Sequence, residues 1–188
     1  MNICVYGASS NDIDKSYIYA VEQLGALMAE RKHTLVFGAG GQGLMGAVAR
    51  GVSSKNGHII GVTPSFFDVD GILYEGDMEL IKTNTMRERK QIMEDNSDAF
   101  IMVPGGVGTY EEFFEILTLK QLGRHGKAIV IFNINGFFNE LLNMMKETAD
   151  QGFMSSATNE IYIVMNNATE ILDYIEKYTP EIGKVFKF

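Results

Sequence analysis

The sequence predicts a single α/β domain: a Rossmann-like, doubly wound parallel sheet with helices on both faces. Three observations carry this reading. Apolar segments of four to six residues alternate along the whole chain with longer segments whose apolar residues recur at helical spacing. The inner strand segments are near-continuous apolar runs, as strands buried on both faces require. Turns rich in glycine or serine, residues 7–10, 38–43 and 105–108, each follow a strand segment directly. Right-handed crossovers bring such turns to the carboxyl edge of one sheet, where folds of this class collect their ligands.

The elements follow in order. Ile3 to Tyr6 reads as the first strand and Gly7-Ala8-Ser9-Ser10 as the turn after it. Tyr17 to Arg31 reads as a helix, with Ile18, Val21, Leu24, Leu27 and Met28 on one face. Thr34 to Phe37 is the second strand, Gly38 to Gly43 its turn, and Leu44 to Ser54 the next helix. His58 to Thr63 is a strand stopped by Pro64. Residues 65–77 are irregular and carry Phe66, Phe67 and Tyr74. Glu79 to Lys82 is a short strand, and Thr85 to Asn96 a polar helix containing Met86-Arg87-Glu88-Arg89-Lys90. Ala99 to Val103 is a buried strand, and Phe113 to Leu122 has helical spacing. Ala128 to Phe132 is a strand, Asn133 to Gly136 a turn, and Phe137 to Ala149 a helix. Ile161 to Met165 is the last strand. Asn167 and Glu170 form a capping pair for a helix that runs to Tyr178 and is ended by Pro180. No linker divides the 188 residues, so residues 1–188 form one domain.

Composition narrows the function classes. A net charge of −8 argues against a nucleic-acid backbone or an anionic membrane as the main partner. A small phosphorylated ligand is compatible with it, because a local nest of N–H groups outweighs a distant net charge. No apolar run is long enough to span a membrane. The N-terminus lacks the charged start and apolar core of a signal peptide. Cys4 is the single cysteine, lies in an apolar strand and fits a reducing, cytoplasmic compartment. His33, His58 and His125 have no paired ligand spacing, so no metal site is expected.

Pro104-Gly105-Gly106-Val107-Gly108-Thr109-Tyr110-Glu111-Glu112 is the centre of the chain. It joins a strand to a helix start. Its glycines let the backbone come close to a ligand, and the free N–H groups and dipole of the helix start favour an anion, in particular a phosphate. Thr109 adds a hydroxyl and is expected to cap the helix. Glu112, three residues on, lies on the face of Thr109. A carboxylate beside an anion site calls for a chemical role or a nearby cation. The bland alternative is a tight turn followed by solvated glutamates.

Gly38, Gly40 and Gly43 match G-x-G-x-x-G formally. That fingerprint also needs an acid at the end of the next strand to hold a ribose, and here the strand ends Gly61-Val62-Thr63-Pro64. A dinucleotide cofactor is therefore not expected. The turn still reads as a nucleotide-binding loop, or as close helix–strand packing through Gly43 and Gly46.

Residues 104–112 resemble the PGGxGTxxE motif of the Lonely-guy (LOG) family, the cytokinin riboside 5′-monophosphate phosphoribohydrolases and their bacterial relatives. The resemblance runs nearly end to end. Gly7 to Ser10, the loop from Gly38 to Gly46, Met86 to Lys90 and the run Thr118, Gln121, Leu122, Gly123, His125 are similar to family segments in the same order. Asn135 to Phe138 and Gly152-Phe153 are similar to its later turns. Arg87 stands where the family usually has His, and Ala39 where it usually has Gly.

The resemblance implies hydrolysis of the N-glycosidic bond of a purine nucleoside 5′-monophosphate, the base being adenine or an N6-prenylated adenine. It assigns Arg89 and Glu112 as the catalytic pair. Gly105, Gly106, Gly108 and Thr109 become phosphate ligands. Ser9, Gly40, Gly41, Gly43, Met86 and Lys90 complete the nucleotide pocket. No cofactor is needed, and a homodimer is implied. Elementary chemistry agrees: cleavage builds positive charge on the sugar, which an ionised Glu112 would stabilise, or it would activate a water. The helix N-terminus and Arg89 are expected to keep Glu112 ionised near neutral pH. Relatives have been called lysine decarboxylases, but no lysine here sits in a recognisable pyridoxal-phosphate setting. A non-enzymatic nucleotide or molybdenum-cofactor binding module is the rival class.

Overall fold

The computed structural model describes residues 1–67 and 71–180. Part of the aromatic loop 65–77, residues 68–70, lies outside the described residues.

Among the described residues, seven parallel strands form one sheet. They are β1 (Asn2–Tyr6), β2 (Thr34–Phe37), β3 (Ile59–Pro64), β4 (Glu79–Thr83), β5 (Ala99–Met102), β6 (Ala128–Phe132) and β7 (Ile163–Met165). Six helices connect or follow them: α1 (Lys15–Glu30), α2 (Gly43–Ser53), α3 (Met86–Asp95), α4 (Val107–Gln121), α5 (Asn139–Asp150) and α6 (Ala168–Lys177). The spatial order is β4-β3-β2-β1-β5-β6-β7. The chain builds outward from β1 to one edge and then crosses back to β5 on the other side of β1. The point where the winding reverses lies between β1 and β5, and there the crossovers leave in opposite directions and open a crevice.

Side-chain alternation along the buried strands divides the core into two layers. Ile3, Val5, Leu35, Phe37, Ile101 and Val130 point to one face, packed by Leu24 and Met28 of α1, Leu44 and Val48 of α2, and Ile171 and Ile175 of α6. Cys4, Tyr6, Val36, Val62, Phe100 and Ile131 point to the other, packed by Met93 of α3, Phe113 and Leu117 of α4, and Leu141 and Met145 of α5. The expected doubly wound architecture is the one observed.

Several boundaries differ from the sequence expectation, each for a local reason. β3 includes Pro64, which lies beyond Gly61, the last residue of β3 paired with β2, so its missing N–H interrupts no ladder there. α5 starts at Asn139 rather than Phe137, because Ile134–Gly136 forms a 3-10 turn with Asn135 at φ 53° and Gly136 at φ 73°. β7 starts at Ile163 because Ser156–Glu160 is another 3-10 turn. The Asn167 cap is present, its Oδ1 accepting from the N–H groups of Thr169 and Glu170.

Candidate active site

The turns after β1, β2 and β5 meet at the crevice. The Ala8 N–H donates to the Pro104 carbonyl at 3.0 Å, and the Leu44 N–H to the Ala8 carbonyl at 2.8 Å. The Gly43 N–H donates to Asn11 Oδ1 at 2.9 Å. The three glycine- or serine-rich segments are thus stitched into one rim around a cavity of about 390 Å³.

Of the sequence-predicted residues, Ser9, Gly40, Met86, Arg89, Gly106, Gly108, Thr109 and Glu112 line this cavity. The others do not. Gly105 lies on the far side of its turn, against a second, apolar cavity of about 240 Å³ walled by Ile13, Tyr17 and Phe137. A Cβ on Gly41 would lie 2.7 Å from the Leu73 carbonyl oxygen, so that glycine admits a neighbouring strand-like segment rather than a ligand. Gly43 has φ +57° and packs against the Ser10 and Ala8 carbonyls, the packing role the sequence left open for it. Lys90 turns away from the cavity to Glu111 and to Glu115, the latter at 2.7 Å.

α4 supplies the anion end. Its N-cap is Gly106, not Thr109, which occupies the first turn and is buried. The helix starts at Val107, which makes Thr109 its third residue, and Thr109 Oγ1 lies so close over Gly105 that a Cβ there would come within 2.0 Å of it. The N–H groups of Val107, Gly108 and Thr109 belong to the first turn and have no acceptor within the helix. No acidic side chain occupies that turn. With the Thr109 hydroxyl, they make a set of donors at the cavity suited to an anion.

Arg89 comes from α3, whose start is fixed by a near capping box. Thr85 Oγ1 accepts from the Glu88 N–H at 3.1 Å, while Glu88 Oε2 accepts from the Asn84 N–H at 2.8 Å. The Arg89 side chain is almost buried and is held twice: Nε donates to the Val62 carbonyl at 3.1 Å, and Nη1 to Glu112 Oε1 at 3.0 Å. Burial pushes the Glu112 carboxyl above its ordinary value, more than Arg89 pulls it down. The sequence expectation is that the helix N-terminus and Arg89 keep this carboxyl ionised near neutral pH; burial acts against both of them. Burial, with Cys4 and Glu112 nearby, also holds the Tyr6 phenol well above its ordinary value.

The apolar wall was not legible as part of the site. Met45, Met93, Phe67, Ile72 and Leu73 line it. Ile72 and Leu73 arrive because the loop after β3 is pinned over the second glycine turn. The Gly41 N–H donates to the Ile72 carbonyl at 2.8 Å, and the Tyr74 N–H to the Ala39 carbonyl at 2.8 Å. Its aromatic, irregular composition was the only available signal. The cavity therefore offers an anion cradle, an arginine–carboxylate pair and an apolar wall, side by side.

This is a Rossmann-like α/β protein with a cavity at the reversal point of its sheet. A sequence-family model described as "Possible lysine decarboxylase" matches residues 45–175. Over 179 residues the chain is 37% identical to cytokinin riboside 5′-monophosphate phosphoribohydrolase LOG2 of Arabidopsis thaliana, covering 95% of this chain and 84% of that one. It is 38% identical over 183 residues to LOG7 of the same plant, covering 97% and 84%. The chain belongs to the LOG family of phosphoribohydrolases. Among solved structures, the molybdenum cofactor binding protein of Rippkaea orientalis superposes with a TM-score of 0.71 at 21% identity, covering 93% of this chain and 94% of that one. The Moco carrier protein of Chlamydomonas reinhardtii does so with 0.70 at 22%, covering 94% and 95%. At these identities the likeness is one of fold. No helix among the described residues is long and apolar enough to cross a membrane.

Proposed function

We propose that the protein hydrolyses the N-glycosidic bond of a purine nucleoside 5′-monophosphate, releasing the free base and ribose 5-phosphate. The observation that carries this reading is the Arg89–Glu112 pair beside the α4 N-terminus in one cavity. The 5′-phosphate binds the first-turn N–H groups and the Thr109 hydroxyl. Binding energy at that remote group holds the sugar against Glu112. Glu112 Oε1 is held by Arg89, and Oε2 has no protein donor among the described residues. The carboxylate stabilises the positive sugar as the bond to the base breaks with its electron pair on the base; it then takes a proton from the attacking water, and that proton passes on to the departing base, which restores the carboxylate. Arg89 orients the carboxylate and keeps part of its charge in place. The base lies along the wall of Phe67, Ile72 and Met86, which accommodates an N6-prenyl substituent as well as bare adenine.

The protein acts as a homodimer in this reading. Val107 is 86% exposed at the mouth of the site, and Phe114, two turns on along α4, is also exposed. Cys4 is wholly buried, its thiol pushed up to about 12, so it is an inert core residue compatible with a cytoplasmic location.

Release of adenine from AMP and of the prenylated base from isopentenyl-AMP, by wild type and Glu112→Gln, tests the proposal. Release that collapses in the variant is expected, and the ratio of the two rates identifies the better base. Nucleotide binding without release of either base would overturn it and leave a binding module. That rival has no observation of its own here, since the resemblance to molybdenum-cofactor proteins is one of fold.

A further inference from the structure

We infer that Gly38, the first residue after β2, is a positioning residue for catalysis: the space left by its missing side chain is the seat of the Arg89 guanidinium. The inference rests on the role proposed for Arg89. A Cβ built on Gly38 would lie 1.8 Å from Arg89 Nη2, 2.9 Å from its Cζ and 3.4 Å from its Nε. All three nearest atoms belong to that one side chain. Gly40, two residues on, has only Met45 Cβ near it, at 3.6 Å, and so has room for a methyl group. Gly38 is also absent from the positive-φ glycines. The backbone at 38 is therefore not in the left-handed region that demands glycine, and the obstacle nearest to a methyl group there is the guanidinium.

A flexible arginine tip usually moves aside at little cost. This one does not, because its Nε is tied to the Val62 carbonyl and its Nη1 to Glu112, and the side chain is almost buried. A methyl group at 38 must break at least one of these bonds. Either the guanidinium leaves β3, or Glu112 loses its partner while still buried. The first glycine of the G-x-G-x-x-G run thus has a role distinct from close approach to a dinucleotide: it makes room for a protein cation that holds the reacting carboxylate. β2, β3, α3 and α4 are joined through that one side chain.

A double-mutant cycle tests this. Arg89→Met keeps an unbranched chain but removes Cζ, Nη1 and Nη2, so it empties the seat. Gly38→Ala alone is expected to keep the native circular-dichroism spectrum, to lower kcat on AMP by about 100-fold or more, and to change KM by less than about threefold, because the phosphate cradle on α4 is untouched. It is also expected to lower the urea midpoint in the parent chain and to have no effect on it in the Arg89→Met background. Equal loss of midpoint in both backgrounds, or a kcat within about threefold of the parent, would overturn the seat. The stability arm needs no turnover. If the parent chain released no base from AMP or from isopentenyl-AMP, the phosphoribohydrolase reading would fail, and the seat would still be decided by the midpoints.

Discussion

Arg89 and Glu112 stand on different helices, yet Nη1 of the first donates to Oε1 of the second at 3.0 Å, and both side chains are nearly withdrawn from water. An ion pair in that position loses hydration on both sides, and the Coulomb attraction only partly restores it. The direction of the Glu112 shift shows the balance: burial outweighs the arginine. The pair is therefore poorly suited to stabilising the fold and well suited to keeping a carboxylate in a dry, defined place.

The first prediction follows from that balance. Because the folded-state pKa of Glu112 is raised, the folded chain keeps a proton that the unfolded chain has already lost between the two values. The stability linked to that proton is present below the unfolded pKa and lost as pH rises through the folded one. Glu112→Gln removes this dependence. The difference in melting temperature between variant and wild type should move in favour of the variant from about pH 4 to about pH 8. Catalysis needs the carboxylate, so the acid limb of kcat/KM should fall above the ordinary value of 4.5. An acid limb at or below that value, with a pH-independent difference in melting temperature, would contradict the burial argument.

Lys90 gives the second. Its neighbour in sequence enters the cavity, but Lys90 bonds to Glu111 and Glu115 and braces α3 against α4. Both acids are substantially exposed, so the brace contributes about 0.5–1 kcal/mol and weakens with salt. Lys90→Gln should cost that much in urea denaturation at low salt and leave KM for AMP within about twofold. A tenfold rise in KM would mean that Lys90 leaves its glutamates and reaches the phosphate.

How much of this was written in the sequence can be judged residue by residue. The strand–turn–helix at 99–122 was readable because buried strands, glycine turns and helical spacing are local patterns. Glu112 and Thr109 were readable together because they share one helix. Their pairing with Arg89 came from family resemblance, since nothing local joins α3 to α4. The seat at Gly38 was out of reach: it depends on a contact between residues 38 and 89, which only the strand order brings together. Lys90 was misplaced because one residue of helix rotates a side chain by about 100°. The raised Glu112 pKa was missed because a spacing argument counts neighbouring charges and does not see burial.

His125 carries the third prediction. It is buried, its Nε2 lies 2.8 Å from the Ile116 carbonyl, and its Nδ1 accepts from the Lys127 N–H at 3.2 Å. That arrangement fixes a neutral ring with the proton on Nε2. Burial first, and then the Lys127 and Lys120 charges, lower its pKa to about 4. The folded chain thus binds fewer protons than the unfolded one between that value and 6.5. Stability is fully present above 6.5 and is lost as pH falls through the window, by on the order of 3 kcal/mol in all. Urea denaturation of wild type and His125→Gln at both ends of the window should show most of the acid-induced loss in the wild type only. A parallel loss in both proteins would place the acid sensitivity elsewhere.

The last prediction concerns Ala39, which the family resemblance marks as standing where glycine is usual. It is fully buried and has φ 61°, the left-handed conformation that a Cβ disfavours by roughly 1–2 kcal/mol. Replacing it by glycine relieves that strain and removes a buried methyl group worth about 0.8 kcal/mol. The two effects oppose each other, so Ala39→Gly should leave stability within about 0.5 kcal/mol of the parent or raise it. Ala47, equally buried in α2, has no strain to relieve. There the same change loses the methyl group and about 1 kcal/mol of helix propensity, so Ala47→Gly should cost about 1.5–2 kcal/mol. Urea denaturation of the two variants reads the difference directly. The Ala39 carbonyl accepts from the Tyr74 N–H, so strain at 39 is held in the turn that carries the apolar wall of the cavity. If the two variants lost stability equally, the left-handed turn would store no strain and the wall would be held by its hydrogen bonds alone.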